Sequence, residues 1–197
     1  MRELRVAVIV GSNRRESINR RLAKALVRLI EDRFAVDWIQ IDDLPIYNQD
    51  LEADTPASVK RFKAAIAAAD ALLFVTPEHN RSIPAVLKNA IDWGSKPTGQ
   101  NVWKGKVAAI TGTSPGAIGT AVGQQHLRQI LAILDVLVMG GEAYISFKPD
   151  LIDGDGTIAD ANTRAFLQAY MEKFANLVSR FAAPATEAAT SKAAAEG

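Results

Sequence analysis

The chain has 197 residues, of which 48% are hydrophobic and 23% charged, so it can form one ordinary globular domain with a substantial core. Its 23 basic and 22 acidic residues leave a formal net charge of +1, which gives no reason to expect a nucleic-acid or acidic-membrane partner. The absence of cysteine excludes disulfides, thiolate metal sites, cysteine-bound iron–sulfur clusters and thiol redox chemistry. Any electron transfer would therefore need a bound cofactor.

Short apolar runs alternate with stretches of helical periodicity along the chain. Strands are predicted over 5–10, 36–41, 71–76, 106–111 and 136–139, with 142–146 as a further part of the last strand. Helices are predicted over 18–30, 56–69, 83–93, 120–134 and 160–181, and a loop of small residues over 112–119. This alternation indicates βαβ units around a parallel sheet covered on both faces. We predict an α/β fold with a single domain over 1–181 and a disordered, alanine-rich tail over 182–197.

The start of the chain bears on location. The first apolar run is too short for a signal-peptide core or a membrane span, so we expect a cytoplasmic protein.

If the strand order is 2-1-3-4-5, ligands bind in the crevice between strands one and three. The loops that follow these two strands are then the candidate ligand-binding loops. The first loop, 11–19, contains Ser12, Arg14, Ser17 and Asn19 just before or at the start of a helix, where N–H groups favour an anion. The helix dipole contributes about 0.3–1 kcal/mol, but a hydrogen bond to a charged group contributes about 1.5–3 kcal/mol, so the side chains dominate. Alternatively, Ser17 or Asn19 only caps the helix and Arg14 is solvated. Because no G-x-x-x-x-G-K-[ST] motif is present, a terminal monophosphate fits better than a transferable phosphate.

The second loop, 76–82, is polar and contains proline. A rigid turn there would present backbone N–H and C=O groups to the edge of a planar heterocycle, and Asn80 and Ser82 add donors and acceptors. Ser82 would alternatively cap the third helix. Glu78 would bond a ligand or stay solvated. His79 has no second histidine or cysteine nearby, so we predict no metal site and expect its imidazole to lie against a flat ring.

Three ordered motifs between residues 4 and 146 carry a family resemblance. They are Gly11-Ser12-x-Arg14-x-x-Ser17-x-Asn19; Pro77-Glu78-His79-Asn80-x-Ser82-x-Pro84 with 87–93; and Ser114-Pro115-Gly116-x-x-Gly119 with 124–131. The set resembles the NAD(P)H-dependent FMN reductases of the flavodoxin-like superfamily, most closely the chromate/quinone reductase branch. The resemblance implies a flavodoxin-like three-layer α/β/α sandwich with a five-stranded parallel sheet of order 2-1-3-4-5.

The resemblance also implies three sets of FMN-binding residues. They are Ser12, Arg14, Ser17 and Asn19 at the phosphate; Pro77, Glu78, His79, Asn80 and Ser82 against the isoalloxazine; and Ser114, Pro115 and Gly116 along the ribityl chain and ring. Two departures matter. The family usually has tyrosine where His79 stands, and related reductases often have arginine where Val122 stands.

The implied activity is that of an FMN-dependent NAD(P)H oxidoreductase. It would reduce quinones and other small oxidants, such as chromate, ferric chelates, azo compounds or flavins, by hydride transfer through flavin N5. We name no catalytic side chain because the cofactor carries the chemistry. Family members are commonly dimers or tetramers, so we expect a homodimer or homotetramer. No residue can be assigned to a choice between NADH and NADPH. The alternatives are a flavodoxin-type electron carrier, which would tend to be acidic whereas this chain has a pI of about 8.0, and a non-enzymatic nucleotide-binding module.

Overall fold

Strands and helices alternate along residues 3–182, which are the residues that the computed structural model describes. The strands are β1 (Arg5–Val10), β2 (Ala35–Ile39), β3 (Ala71–Val75), β4 (Val107–Ser114), β5 (Leu137–Val138) and β6 (Tyr144–Ser146). The helices are α1 (Ile18–Val27), α2 (Ala57–Ala68), α3 (Ala85–Ser95), α4 (Ala121–Ile133) and α5 (Ala161–Phe181), with a short 3₁₀ helix at Gln49–Leu51. Apart from Ala182, the predicted tail over 182–197 lies outside the described residues.

The sheet is parallel, and its strands follow the order β2-β1-β3-β4-β5, as predicted. Alternate residues of β1 face opposite layers: Val6, Val8 and Val10 pack with α1 and α5, while Ala7 and Ile9 pack with α2, α3 and α4. A strand buried on both faces needs apolar residues at every position, which explains the uninterrupted apolar run in the sequence. The flavodoxin-like three-layer sandwich is therefore confirmed.

The fifth position of the sheet is occupied by two short strands. β5 pairs with the start of β4, at Val107 and Ala108, and β6 pairs with its end, from Gly112 to Ser114. Between β5 and β6, Gly141 adopts a φ of +92°, a conformation that glycine adopts without steric cost. The sheet therefore has six strands in five positions, one strand more than the sequence predicts.

The predicted end of β4 at residue 111, followed by a loop over 112–119, is wrong. The strand continues to Ser114 because its last three residues pair with β6. The hydroxyls of Thr111 and Thr113 donate to the carbonyls of Ala143 (2.8 Å) and Ile145 (2.7 Å), which strengthens the same edge. Small and hydroxylated residues look like a loop in sequence, and only the partner strand makes them extended.

The predicted start of α3 at residue 83 is also wrong, and Ser82 does not cap this helix. The helix begins at Ala85, and its N-cap is Pro84 with extended backbone angles of −63° and 148°. A proline disfavours helical angles in the residue before it, so Ile83 cannot join the helix easily. The other predicted bounds differ from the observed ones by at most three residues; α1, for example, ends at Val27 rather than at residue 30. Within residues 3–182, no helix combines the length and apolar character that crossing a membrane requires.

Candidate functional site

A cavity of about 490 Å³ opens at the carboxyl ends of β1, β3 and β4, where the strand order reverses. Its volume lies within the usual range for small-molecule sites, about 300–1,000 Å³. We call it the crevice cavity. Most of the predicted site residues line it: Ser12, Arg14, Ser17, Asn19, Pro77, Glu78, His79, Ser114 and Pro115. The fold thus brings the first loop, the second loop and the end of β4 to one place.

Three predicted residues do not line the crevice cavity. Asn80 and Ser82 line a neighbouring cavity that shares His79 with it. The carbonyl of Gly116 accepts hydrogen bonds from the hydroxyls of Ser146 (2.8 Å) and Ser114 (3.4 Å), so Gly116 shapes the turn after β4.

Sequence reasoning also missed residues that line the crevice cavity. They are Gly11, Asn13, Ile18, Pro84, Ala85, Val86 and Thr113. Thr113 fell within a predicted loop, and small apolar residues in the first turn of a helix carry no chemical signal. Pro84, which is part of the second motif, is the sequence signal that connects the start of α3 with the site.

Two glycines bring the strand ends close together around Thr76. A Cβ atom on Gly11 would lie 2.3 Å from Thr76 Oγ1, and one on Gly112 would lie 1.9 Å from the Thr76 carbonyl oxygen. The backbone N–H of Gly11 donates to Val75 (2.9 Å), so the first loop leaves β1 directly against β3. Any larger residue at Gly11 or Gly112 would push the walls of the crevice cavity apart.

Local hydrogen bonds organise the two serines of the first loop. Ser17 is the N-cap of α1, and its hydroxyl accepts a hydrogen bond from the N–H of Arg20 (3.2 Å). The N–H of Arg14 donates to Ser12 Oγ (3.3 Å). Ser17 therefore caps α1, and its hydroxyl proton can still donate into the crevice cavity that it lines.

Asn19 joins the start of α1 to the end of β4. Its amide nitrogen donates to the carbonyl of Thr113, and its amide oxygen accepts from the N–H of Thr113, both at 2.9 Å. Asn19 is 2% exposed, so this pair of bonds is shielded from water. Asn19 therefore fixes the distance between two walls of the crevice cavity.

The second loop is a tight two-residue turn. His79 and Ser82 exchange two backbone hydrogen bonds of 2.9 Å, and both Asn80 and Arg81 have positive φ, at 52° and 63°. Positive φ at both central residues defines the type I′ geometry. The turn holds His79 at the edge of the crevice cavity on rigid backbone.

Glu78 connects this turn to α4. Its Oε2 accepts a hydrogen bond from the N–H of Gly123 (3.0 Å), and its Oε1 accepts one from Arg81 (3.3 Å). Thr120, the N-cap residue of α4, has a φ of 71° and no side-chain capping bond. Glu78 supplies the missing acceptor and places a negative charge at the positive end of the helix. Ser82 adds a second link, since its hydroxyl lies 3.1 Å from His126 Nδ1 on α4.

The lining of the crevice cavity combines polar groups on the first loop with apolar residues on the second loop, at the start of α3 and after β4. At the first loop, an anion would meet serine hydroxyls, backbone N–H groups and the guanidinium of Arg14. Glu78 is the one carboxylate among the described lining residues, and Gly123 and Arg81 already occupy it. Elsewhere, the walls are made by Pro77, Pro84, Ala85, Val86 and Pro115. A phosphate at the first loop and a flat ring against the apolar residues would fit this distribution. Fold and site together define a flavodoxin-like protein whose crevice cavity carries groups suited to a phosphate and to a flat ring.

Comparison with known proteins identifies the family. Residues 4–150 match the model of the NADPH-dependent FMN reductases, and the chain therefore belongs to this family. It is 51% identical over 173 residues to a 2-hydroxy-1,4-benzoquinone reductase from Burkholderia sp., covering 87% of this chain and 94% of the relative. It is 50% identical over 175 residues to a quinone reductase from Pseudomonas putida, covering 88% and 94%.

A solved structure gives the same result. The flavoenzyme FerB from Paracoccus denitrificans, an NAD(P)H:(acceptor) oxidoreductase, superposes with a TM-score of 0.88 at 45% identity, covering 90% of this chain and 98% of FerB. The resemblance drawn from the three motifs is confirmed. The protein is an oxidoreductase whose cofactor is FMN and whose electron donor is NAD(P)H.

Proposed function

We propose that this protein is an NAD(P)H-dependent quinone reductase. The main support is the crevice cavity, whose first loop suits the FMN phosphate and whose proline, alanine and valine residues suit a flat ring. In this proposal the nicotinamide and then the acceptor stack on the open face of that ring. Quinones fit that space because they are planar and need no charged partner. The activities of the two relatives at 51% and 50% identity favour the same substrate class. Chromate, ferric chelates, azo compounds and free flavins are secondary acceptors in this proposal.

In this proposal the first loop binds the phosphate. Ser12 and Ser17 donate from their hydroxyls, Arg14 supplies the compensating charge, and Asn19 acts as a positioning residue because Thr113 occupies its amide. Charge-assisted hydrogen bonds of this kind contribute most of the affinity at such a site.

The second loop and the end of β4 hold the ring. Pro77, His79 and Pro115 form its walls, Ser114 lies beside the ribityl chain, and Gly116 shapes the turn that carries Ser114. Glu78, Asn80 and Ser82 act indirectly, because they fix the turn that presents His79. His79 replaces the tyrosine usual in the family, so the ring would meet an imidazole that can donate or accept a hydrogen bond.

Bound FMN supplies two-electron chemistry between NAD(P)H and a quinone. The chain itself orients the two reactants on one face of the ring and keeps water from it through the apolar residues Ala85, Val86 and Pro84. No side chain of the crevice cavity is assigned as acid or base.

We also propose that the protein is a homodimer. The outer face of α4 carries Ile133, which is 82% exposed, next to His126, Gln129 and Ile130. Ile130 also lines the cavity at His79 and Ser82, so a second copy on this face would lie beside the flavin.

We treat 1–181 as one FMN-binding domain, since both helical layers share the single sheet. We also propose a cytoplasmic location, which suits an enzyme that draws electrons from NAD(P)H.

The direct test is spectroscopic and kinetic. The purified protein should be yellow, its flavin should bleach on anaerobic addition of NAD(P)H, and added quinone should restore the colour repeatedly. Arg14→Gln should raise the Kd for FMN about 10–100-fold, as expected for losing a charged hydrogen bond. Arg15→Gln is the matched control, because Arg15 is exposed and does not line the crevice cavity.

Two outcomes would contradict the proposal. A flavin that bleaches but reacts with a protein partner and never with a quinone would favour the electron carrier. Mononucleotide binding without NAD(P)H oxidation would favour the non-enzymatic module.

A further inference from the structure

A second cavity, of about 330 Å³, lies between α1 and the edge strand β2. Its polar and aromatic lining consists of Ser12, Arg20, Trp38, Gln40 and Asp42. Ser12 also lines the crevice cavity, so the two cavities adjoin at the first loop. The FMN site proposed above uses none of the other four residues. We call this second cavity the β2 cavity.

Trp38 gives the β2 cavity a flat aromatic wall. Its side chain is 44% exposed, whereas Trp93 and Trp103 are 1% and 0% exposed. In parallel β1–β2 pairing Trp38 lies opposite Val8, so its indole is on the side of the sheet that α1 covers. An indole left partly open at a cavity is a stacking surface for a heterocyclic base.

Arg20 gives the β2 cavity a positive charge. Its backbone N–H belongs to the cap of α1, but its guanidinium has no hydrogen-bond or ion-pair partner among residues 3–182. Asp42 contributes a carboxylate to the same cavity. A base-stacking surface, a guanidinium for phosphate and a carboxylate for ribose hydroxyls therefore line one space.

We propose that the β2 cavity binds the phosphorylated adenosine half of NAD(P)H, with adenine on Trp38, a ribose hydroxyl donating to Asp42, and a phosphate on Arg20. The inference rests on the proposed function, which places the nicotinamide in the crevice cavity. The adenosine half of NAD(P)H must then bind outside that cavity. The two cavities share Ser12, so in this proposal the nucleotide runs from the flavin ring past the FMN phosphate and the first loop into the β2 cavity.

The cavity on the opposite side of the crevice is less suitable. Its lining includes His79, Ile130 and Lys88, and it offers no tryptophan, tyrosine or phenylalanine. The ammonium of Lys88 is paired with Asp92 at 2.8 Å, so it would have to leave that carboxylate to bind a phosphate. This side also carries the α4 face proposed for the second copy.

The test uses the FMN-loaded protein and two variants, Trp38→Ala and Arg20→Gln. Each should raise the KM for NADPH about tenfold while kcat at saturating substrates changes less than about twofold. The FMN content should stay unchanged. The matched controls are Phe166→Ala, an aromatic residue exposed on α5, and Lys24→Gln, a cation one helical turn beyond Arg20 on α1. Both controls should behave like the wild type.

A second readout does not depend on activity. Binding of 2′,5′-ADP and of 5′-AMP is measured by calorimetry and by tryptophan fluorescence, which should be quenched in the wild type and unchanged in Trp38→Ala. If Arg20 binds the 2′-phosphate, the variant Arg20→Gln loses the preference for 2′,5′-ADP. If Arg20 binds the 5′-phosphate, both probes weaken equally. Either result supports the site.

Two results would overturn the inference. One is unchanged KM and unchanged probe binding in both variants. The other is a loss of FMN from Arg20→Gln with normal probe binding, which would assign Arg20 to the flavin phosphate. Failure of the proposed function would give a different result. The wild type would then bind 2′,5′-ADP through Trp38 but reduce no quinone, so the nucleotide site would be supported and the quinone reductase activity would not.

Discussion

Thr76 lies at the point where the walls of the crevice cavity meet. It is fully buried, its N–H donates to the carbonyl of Thr111 (3.0 Å), and glycines pack against it from β4 and from the first loop. Gly112 is the more constrained of the two glycines, because the atom its Cβ would meet belongs to the backbone and cannot rotate away. The width of the crevice cavity therefore depends on the absence of a side chain at Gly11 and at Gly112.

We expect Gly112→Ala to destabilise the protein at the upper end of the usual overpacking range, about 3 kcal/mol, and to weaken FMN binding. The control for stability is Gly116→Ala, since the nearest atom to a Cβ there is 3.7 Å away, and we expect a change within about 0.5 kcal/mol. Urea unfolding of both variants measures the difference. Equal free energies of unfolding would show that the sheet relaxes around the methyl group.

At the scale of elements, the second loop and α4 depend on each other. The helix begins without a capping side chain of its own, and Glu78 completes it from 45 residues away in sequence. The carboxylate is 11% exposed, so water competes little for it. Through this bond, the end of β3, the turn that carries His79 and the start of α4 form one rigid unit beside the crevice cavity.

Replacing Glu78 by alanine should lower the free energy of unfolding by about 1.5–3 kcal/mol, because a buried N–H loses its charged acceptor. FMN should also dissociate faster, since the turn is released from the helix. Arg81→Gln is the control: it removes an ion pair whose arginine is 65% exposed, which is worth about 0–1 kcal/mol. Stability and flavin release are measured by urea titration and by stopped-flow fluorescence. If both variants behave alike, the bond to Gly123 contributes nothing.

At the scale of the whole molecule, each helical layer covers one face of the sheet, but α4 has an apolar outer side. Ile133 stands in water at the end of that side, close to the cavity that touches the second loop. Packing this face against a second copy would bury the isoleucines and shield the flavin edge. That arrangement would make the oligomer part of the site.

The variant Ile133→Asp should convert the proposed dimer into a monomer at micromolar concentration, because a carboxylate would be buried in an apolar contact. Light scattering after size-exclusion chromatography gives the mass. Phe166→Asp provides the control, since Phe166 is 47% exposed on α5 in the opposite layer. A wild type that elutes as a monomer, or equal dissociation of the two variants, would contradict the proposed interface.

Much of the fold follows from local patterns in the chain. The doubly buried strands and the helical stripes predicted alternating strands and helices around a parallel sheet, because each pattern depends on neighbouring residues. The strand order 2-1-3-4-5 was implied by the family resemblance. The first loop could be located from local patterns, since a buried strand, a glycine and a helix start follow one another directly. Residues such as Ser12, Arg14 and Ser17 were therefore accessible to sequence reasoning.

Only the tertiary structure decided which residues far apart in sequence contact each other. The bond between Asn19 and Thr113 spans 94 residues, and it gives a positioning role to a residue expected to bind phosphate. The pairing of β4 with β6 made a strand out of a segment that looks like a loop. The β2 cavity requires α1 and β2 side by side. Hydrophobic periodicity determines which elements form, but which side chains face each other depends on register and packing between elements, which no local pattern contains.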